Sequence, residues 1–159
     1  MKKLTLGIGL LMILLLVMPV AALYQATGGG SFSYTGIATK SSIAFAAYQI
    51  DTLNNANGYF TYHYRYNAPD WPKTVSYSGD IVYLKVDGDT ACWAGIITET
   101  TSPPGYIGAV GDGFSFKYTD GQPDMFTHAL TRPASYAIDD CNAVWPVTIE
   151  LTNGNFKIK

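Results

Sequence analysis

Two cysteines and two histidines are the side chains that could carry redox, metal or acid–base chemistry, and their spacing narrows what they can do. Cys92 and Cys141 stand too far apart for a C-x-x-C redox motif, and with His63 and His128 they fit no zinc-binding spacing. In a chain that carries the export leader described below, an even pair reads first as a disulfide. Closing a loop of about 50 residues contributes about 4 kcal/mol on chain-entropy grounds. Two free buried thiols are the second reading. His63 shares strand parity with Thr61 and Arg65 and is expected to face solvent, whereas His128 is in phase with Phe126 and Leu130 and is expected in the core or at its rim. No G-x-S-x-G, H-E-x-x-H or S-x-x-K motif is present. Without a nucleophile, base and orienting group, the chain reads as a non-enzyme with no cofactor.

The acidic residues fall in turns: Asp87 with Asp89, Asp112, Asp120 with Asp124, and Asp139 with Asp140. Oxygen-rich turns suit calcium, and Asp120 with Asp124 are the candidate ligands. Turns also favour Asp for a plainer reason, because its carboxylate bonds nearby backbone amides. No twelve-residue calcium loop is present.

Aromatic side chains are the other source of specific contact. The chain has 12 tyrosines and 3 tryptophans, while charged residues make up 14%, against about 25% in an average soluble protein. Tyr and Trp offer a flat apolar face and a polar edge, which suits them to stack on sugar rings or anchor a protein. Trp71, in a loop with Pro69 and Pro72, with Tyr64 and Tyr66 beside it, is the candidate ligand-binding set. Sheet packing is the competing use, since tyrosine also fills cross-strand pairs.

The elements that must position these groups begin after residue 22. Lys2 and Lys3, an apolar run over 6–20, and the A-x-A-like Val20 and Ala22 form a secretory signal peptide cut after Ala22. An uncleaved anchor helix is the alternative, opposed by Gly7, Gly9 and Pro19. Residues 23–159 then form a single domain, secreted or at the cell surface. Removal of Lys2 and Lys3 leaves 8 basic against 12 acidic residues, a balance of −4. There is no basic stripe for nucleic acid, and the membrane is a partner only through the signal segment, if it stays uncleaved.

The hairpin over 114–130 is the clearest element: Phe114, Phe116 and Tyr118 alternate with Ser115, Lys117 and Thr119, and alternation resumes at Phe126, His128 and Leu130. Asp120, Gly121 and Pro123 make the turn between. Residues 27–30 read as a flexible entry to a short strand at Phe32 and Tyr34, 40–50 as the second strand, 54–58 as a turn and 59–66 as the third strand. A bulge at Gly79 and Asp80 is expected to repair a change of phase in 74–86. Asp87 and Gly88 turn that strand into 91–100. Residues 131–146 read as a long connection without helix, and a last hairpin is expected to turn at Asn153 and Gly154. The sum is an all-β antiparallel meander of about nine strands, a closed or nearly closed barrel with its first and last strands adjacent. A β-sandwich is the second reading.

Four short segments resemble a group of secreted prokaryotic β-domains of uncharacterised function. These are the T-G-G-G of residues 27–30, Gly58 with Tyr62 and His63, Asp120 to Asp124 with Phe126, and Gly154, Asn155, Phe156 and Ile158. Together they span nearly all of 23–159. Arg65 stands where the group has a second histidine, Phe156 replaces an isoleucine, and the turn lacks one residue between Asp120 and Gly121. The resemblance implies an exported β-domain, in some cases attached to larger surface proteins, and brings no activity. The expected function is a non-catalytic binding module for an extracellular glycan or surface protein, with a structural envelope component as the alternative and a hydrolase last.

Overall fold

The computed structural model describes residues 23–33, 38–66, 74–105, 108–143 and 146–159, with backbone alone at 38, 39 and 66. The leader, Tyr34 and Trp71 lie outside the described residues. Alternation of large apolar with small or polar residues produces nine strands: β1 (Gln25–Phe32), β2 (Ala38–Gln49), β3 (Asn55–Tyr66), β4 (Thr74–Asp87), β5 (Thr90–Thr100), β6 (Gly113–Thr119), β7 (Met125–Thr131), β8 (Ile149–Glu150) and β9 (Asn153–Ile158). They form one antiparallel sheet in the order β8-β7-β6-β5-β4-β3-β2-β1-β9. The sheet curls into a half-barrel, as expected of a chain whose consecutive strands pair as hairpins.

The last segment joins the two edges of that curl. β8 pairs with β7 through Met125 and Phe126, and β9 pairs with β1 from Ala26 to Ser31. Between them Leu151 N–H donates to the Asp124 carbonyl and Thr152 N–H to the Ser31 carbonyl, so the chain steps from one edge to the other within two residues. The expected adjacency of first and last strands is therefore present, but the expected final hairpin is not. Asn153 and Gly154 lie within β9, opposite Ser31 and Gly30. Gly154, at φ +118°, is needed for closeness: a Cβ there would sit 2.5 Å from the Gly30 Cα.

The same closeness explains why residues 27–30 are strand and not a loose entry. A Cβ on Gly28 would lie 2.6 Å from Phe156 Cδ1, so side-chain-free backbone lets β9 seat Phe156 against β1. The turn before β3 also comes earlier than 54–58. Asp51 accepts from the Leu53 and Asn55 N–H groups at 2.9 and 3.0 Å, and Asn54 takes positive φ. In β4 the phase changes between Ile81 and Tyr83, two residues beyond the expected bulge, while the register at Ser78/Gly79 shifts as well.

One parity of every long strand fills the core. Phe32, Phe60, Tyr62, Trp93, Phe114, Phe116, Tyr118, Phe126 and Phe156 are fully buried there. Their rings pack edge to face or offset, as in Phe32 with Phe126 at 4.4 Å and Phe116 with Phe126 at 5.1 Å. Each such side chain stabilises by about 1.5–3 kcal/mol on burial.

A short helix corrects the expected helix-free connection. α1 (Ser135–Asn142) lies on the outside of the sheet, where Ala137 and Cys141, four residues apart on one face, pack against Tyr83, Cys92 and Ala94. Among the described residues no helix is long and apolar enough to cross a membrane.

Candidate functional site

Cys92 on β5 and Cys141 on α1 form a disulfide with a Cα separation of 5.5 Å, as the sequence led us to expect. In the sheet register Lys85 and Lys117 stand on either side of Cys92. Lys85 Nζ donates to Asn142 Oδ1 at 3.3 Å, close to the C-terminus of α1, where a cation complements the helix dipole. The bridge and Lys85 thus fasten the helix to the sheet.

The histidines divide as their parities require. His63 is exposed on the outer face. His128 lies directly opposite Phe116 on the inner face, its ring stacked on Phe114 at 5.7 Å. Its Nε2 meets the Tyr62 hydroxyl at 3.2 Å and the Tyr64 hydroxyl as well. Burial pushes its pKa down to about 4, so the ring is neutral at physiological pH. The partners described for it are tyrosine hydroxyls and aromatic rings, which fix the ring in place.

Asp120 and Asp124 face backbone amides. Asp124 accepts from Gly121 N–H at 2.9 Å and from Phe156 N–H at 2.7 Å, while Asp120 accepts from Ile158 N–H at 3.3 Å. Tyr118 adds a bond from its hydroxyl to the Lys157 carbonyl at 3.1 Å. The β6–β7 hairpin therefore grips β9 with three side chains where no strand ladder joins them. Among the described residues no group of three or more His, Cys, Asp or Glu side chains is placed to hold a metal. Asp112 does similar work at the other end of β6: its carboxylate accepts from Gly108 and Ala109 N–H groups and from Arg132, which holds its pKa below the usual carboxylate range.

The candidate ligand set is not assembled on one surface by the described residues. Tyr64 is 8% exposed on the inner face, Tyr66 is described by its backbone alone, and Trp71 lies outside the described residues. Among the described residues the exposed tyrosines are Tyr24 ahead of β1, Tyr136 on α1, and Tyr48 and Tyr59, which share the outer face of β2 and β3. Tyr48 is 42% and Tyr59 50% exposed. Residues directly opposite across a sheet share a face, so Tyr48 stands beside Asn57, and Tyr59 between Ala46 and Asp80. Asn57 and Asp80 are both exposed. Ala44, Ala46, Thr27 and Gly29 occupy the neighbouring outward positions and leave the two tyrosines standing above a low surface. The signal was in the sequence: Tyr48 and Tyr59 have the parity opposite to Phe45 and Phe60.

Compared with known proteins, the chain matches no family model, no curated protein and no solved structure.

Proposed function

We propose that the chain is an exported, non-catalytic binding module that acts at the cell surface or in the extracellular space, and that the outer face of β1–β3 is its contact surface. The observation that carries this reading is the exposed pair Tyr48 and Tyr59, whose neighbouring outward positions Thr27, Gly29, Ala44 and Ala46 are small and uncharged. Half-exposed tyrosines with room around them are the side chains that stack on sugars and anchor proteins. The leader pattern supports export, and the disulfide is compatible with an oxidising extracellular location. The four segments that resemble secreted β-domains agree with this placement.

Against catalysis stand the uses already found for the titratable groups: His128 is enclosed by aromatic rings, and Asp112, Asp120 and Asp124 are bonded to backbone amides. A structural envelope component is the second reading, favoured by Tyr62 and Tyr64, which serve the core. The test is a glycan array and an envelope pull-down with residues 23–159, which contain every strand described, compared with Tyr48→Ala, Tyr59→Ala and Trp71→Ala. Binding lost in the outer-face variants supports the module. Binding lost in Trp71→Ala alone moves the site to residues 67–73, and no binding in either assay leaves the structural reading.

A further inference from the structure

We propose that the ligand of this face is a neutral glycan, at least two pyranose rings long, with Tyr48 and Tyr59 as stacking platforms and Asn57 and Asp80 as its hydroxyl-binding groups. This deepens the binding-module reading and rests on it. The four residues alternate across three neighbouring strands: Tyr48 on β2, Asn57 and Tyr59 on β3, Asp80 on β4. Tyr48 and Tyr59 are diagonal neighbours, which places their Cβ atoms about 7 Å apart. That separation suits successive rings of an oligosaccharide better than the two faces of one ring.

Each platform has a polar partner directly opposite it in the register. Asn57 stands across from Tyr48 and both donates and accepts; Asp80 stands across from Tyr59 and accepts from two hydroxyls at once. A pyranose ring needs this combination, since its C–H face lies on an aromatic ring while the hydroxyls at its rim require donors and acceptors in the same plane. An apolar protein anchor would leave the Asp80 carboxylate against it unpaired.

Charge selects among glycans. The outward positions flanking the tyrosines are Gln25, Thr27, Ala46, Asn57, Asp80 and Ile96, with no cation among them. Among the described residues the cations of this face are Lys40 and Arg65 at the far end of β2 and β3, and Lys157 on β9 with Lys159 just after it, which β1 separates from the tyrosine strands. A sulfated or uronic acid chain over Tyr59 would meet the Asp80 carboxylate, which stands between Tyr59 and Ile96 with no cation opposite it. A neutral chain meets no such repulsion.

The experiment is an array of neutral glucose-, N-acetylglucosamine- and galactose-based oligosaccharides beside their sulfated and uronic acid counterparts, probed with residues 23–159 and followed by calorimetry on the hits. We expect neutral oligomers to bind and monosaccharides to bind more weakly. Tyr48→Ala and Tyr59→Ala should each weaken binding about tenfold, since a stacked ring is lost. Tyr59→Phe should retain binding, and Asp80→Asn should weaken it while admitting acidic chains. The four side chains lie outside the core, so unchanged thermal unfolding shows that the variants remain folded. Neutral oligomers bound equally by both alanine variants would overturn the site. Capture of acidic glycans, or of an envelope protein, in a manner that needs Tyr48 and Tyr59 would overturn the ligand class and leave the binding module standing. Silence of both the array and an envelope pull-down would overturn both.

Discussion

The Asp124 carboxylate accepts the backbone N–H of Phe156 at 2.7 Å, joining residues 32 apart in sequence. Its other oxygen holds Gly121 N–H of its own turn, so one buried side chain both shapes the β6–β7 hairpin and docks the last strand. Hydrogen bonds to an ionised acceptor contribute about 1.5–3 kcal/mol. We expect Asp124→Ala to cost about 3 kcal/mol in urea unfolding, because it leaves the buried Phe156 N–H without its partner. Hydrogen exchange should speed up first at β9. A uniform increase across all strands, with β9 no faster than β4, would contradict a local role for Asp124.

The disulfide makes a separable contribution. α1 buries Ala137 and Cys141 and is otherwise joined to the sheet by side-chain hydrogen bonds, from Ser115 Oγ to Asp140 at 3.1 Å and from Tyr83 and Lys85 to Asn142, so the bridge is its one covalent tie. Replacing Cys92 and Cys141 together by alanine should lower stability by about 4 kcal/mol, the chain-entropy value for this loop. The helix amides should lose protection while the aromatic core keeps its near-ultraviolet signal. Loss of that signal in the double variant under native conditions would show that the bridge supports the barrel itself.

How much of this was legible depended on how local the cause was. Strand parity is local, so the hairpin from Phe114 to Leu130 and the burial of Phe60 and Tyr62 followed from alternation alone. The turn at Gly88 followed from a D-G pair. α1 is eight residues with two buried positions, too short to display a helical period, and its helix is secured by a bridge to a residue 49 positions away. An aspartate in a turn has the same sequence signature whether it bonds its own turn or a distant strand, which is why the bonds from Asp120 and Asp124 to β9 could not be read from the sequence. The tyrosine run of β3 is aromatic on both parities. Parity still separates them, with Tyr62 and Tyr64 on the buried side of Phe60 and Tyr59 on the outer one.

Asp112 and Arg132 form the ion pair described here, with a nitrogen–oxygen distance of 2.8 Å, and they differ in burial: the arginine side chain is 52% exposed, the aspartate 8%. Removing the exposed partner should cost about 1 kcal/mol or less, the usual range for surface pairs. Removing Asp112 should cost about 2–4 kcal/mol, because the Gly108 and Ala109 N–H groups lose their acceptor. Unfolding midpoints of Arg132→Ala and Asp112→Ala test this order. Equal losses would mean that the ion pair, and not the loop amides, is what Asp112 serves.

His128 should give the protein a pH dependence of its own. Its folded pKa of about 4 lies below the ordinary histidine value of 6.5 because burial among Phe114, Tyr62 and Tyr64 disfavours the charged ring. Above pH 6.5 the ring is neutral whether folded or unfolded, so it confers no pH slope there. As pH falls from 6.5 towards 4 the unfolded chain takes up a proton that the folded chain refuses, and stability declines by up to about 3 kcal/mol. Asp112 acts in a separate window: its lowered pKa gives stability that is complete above the ordinary carboxylate range and is lost only as pH falls below it. Urea midpoints measured from pH 7 to pH 4 should therefore fall in the wild type. His128→Phe, which keeps an aromatic ring but not the ionisable group, should flatten that interval and leave the steeper acid limb in place. A variant whose midpoints still fell between pH 6.5 and 4 would assign the slope to a group other than His128.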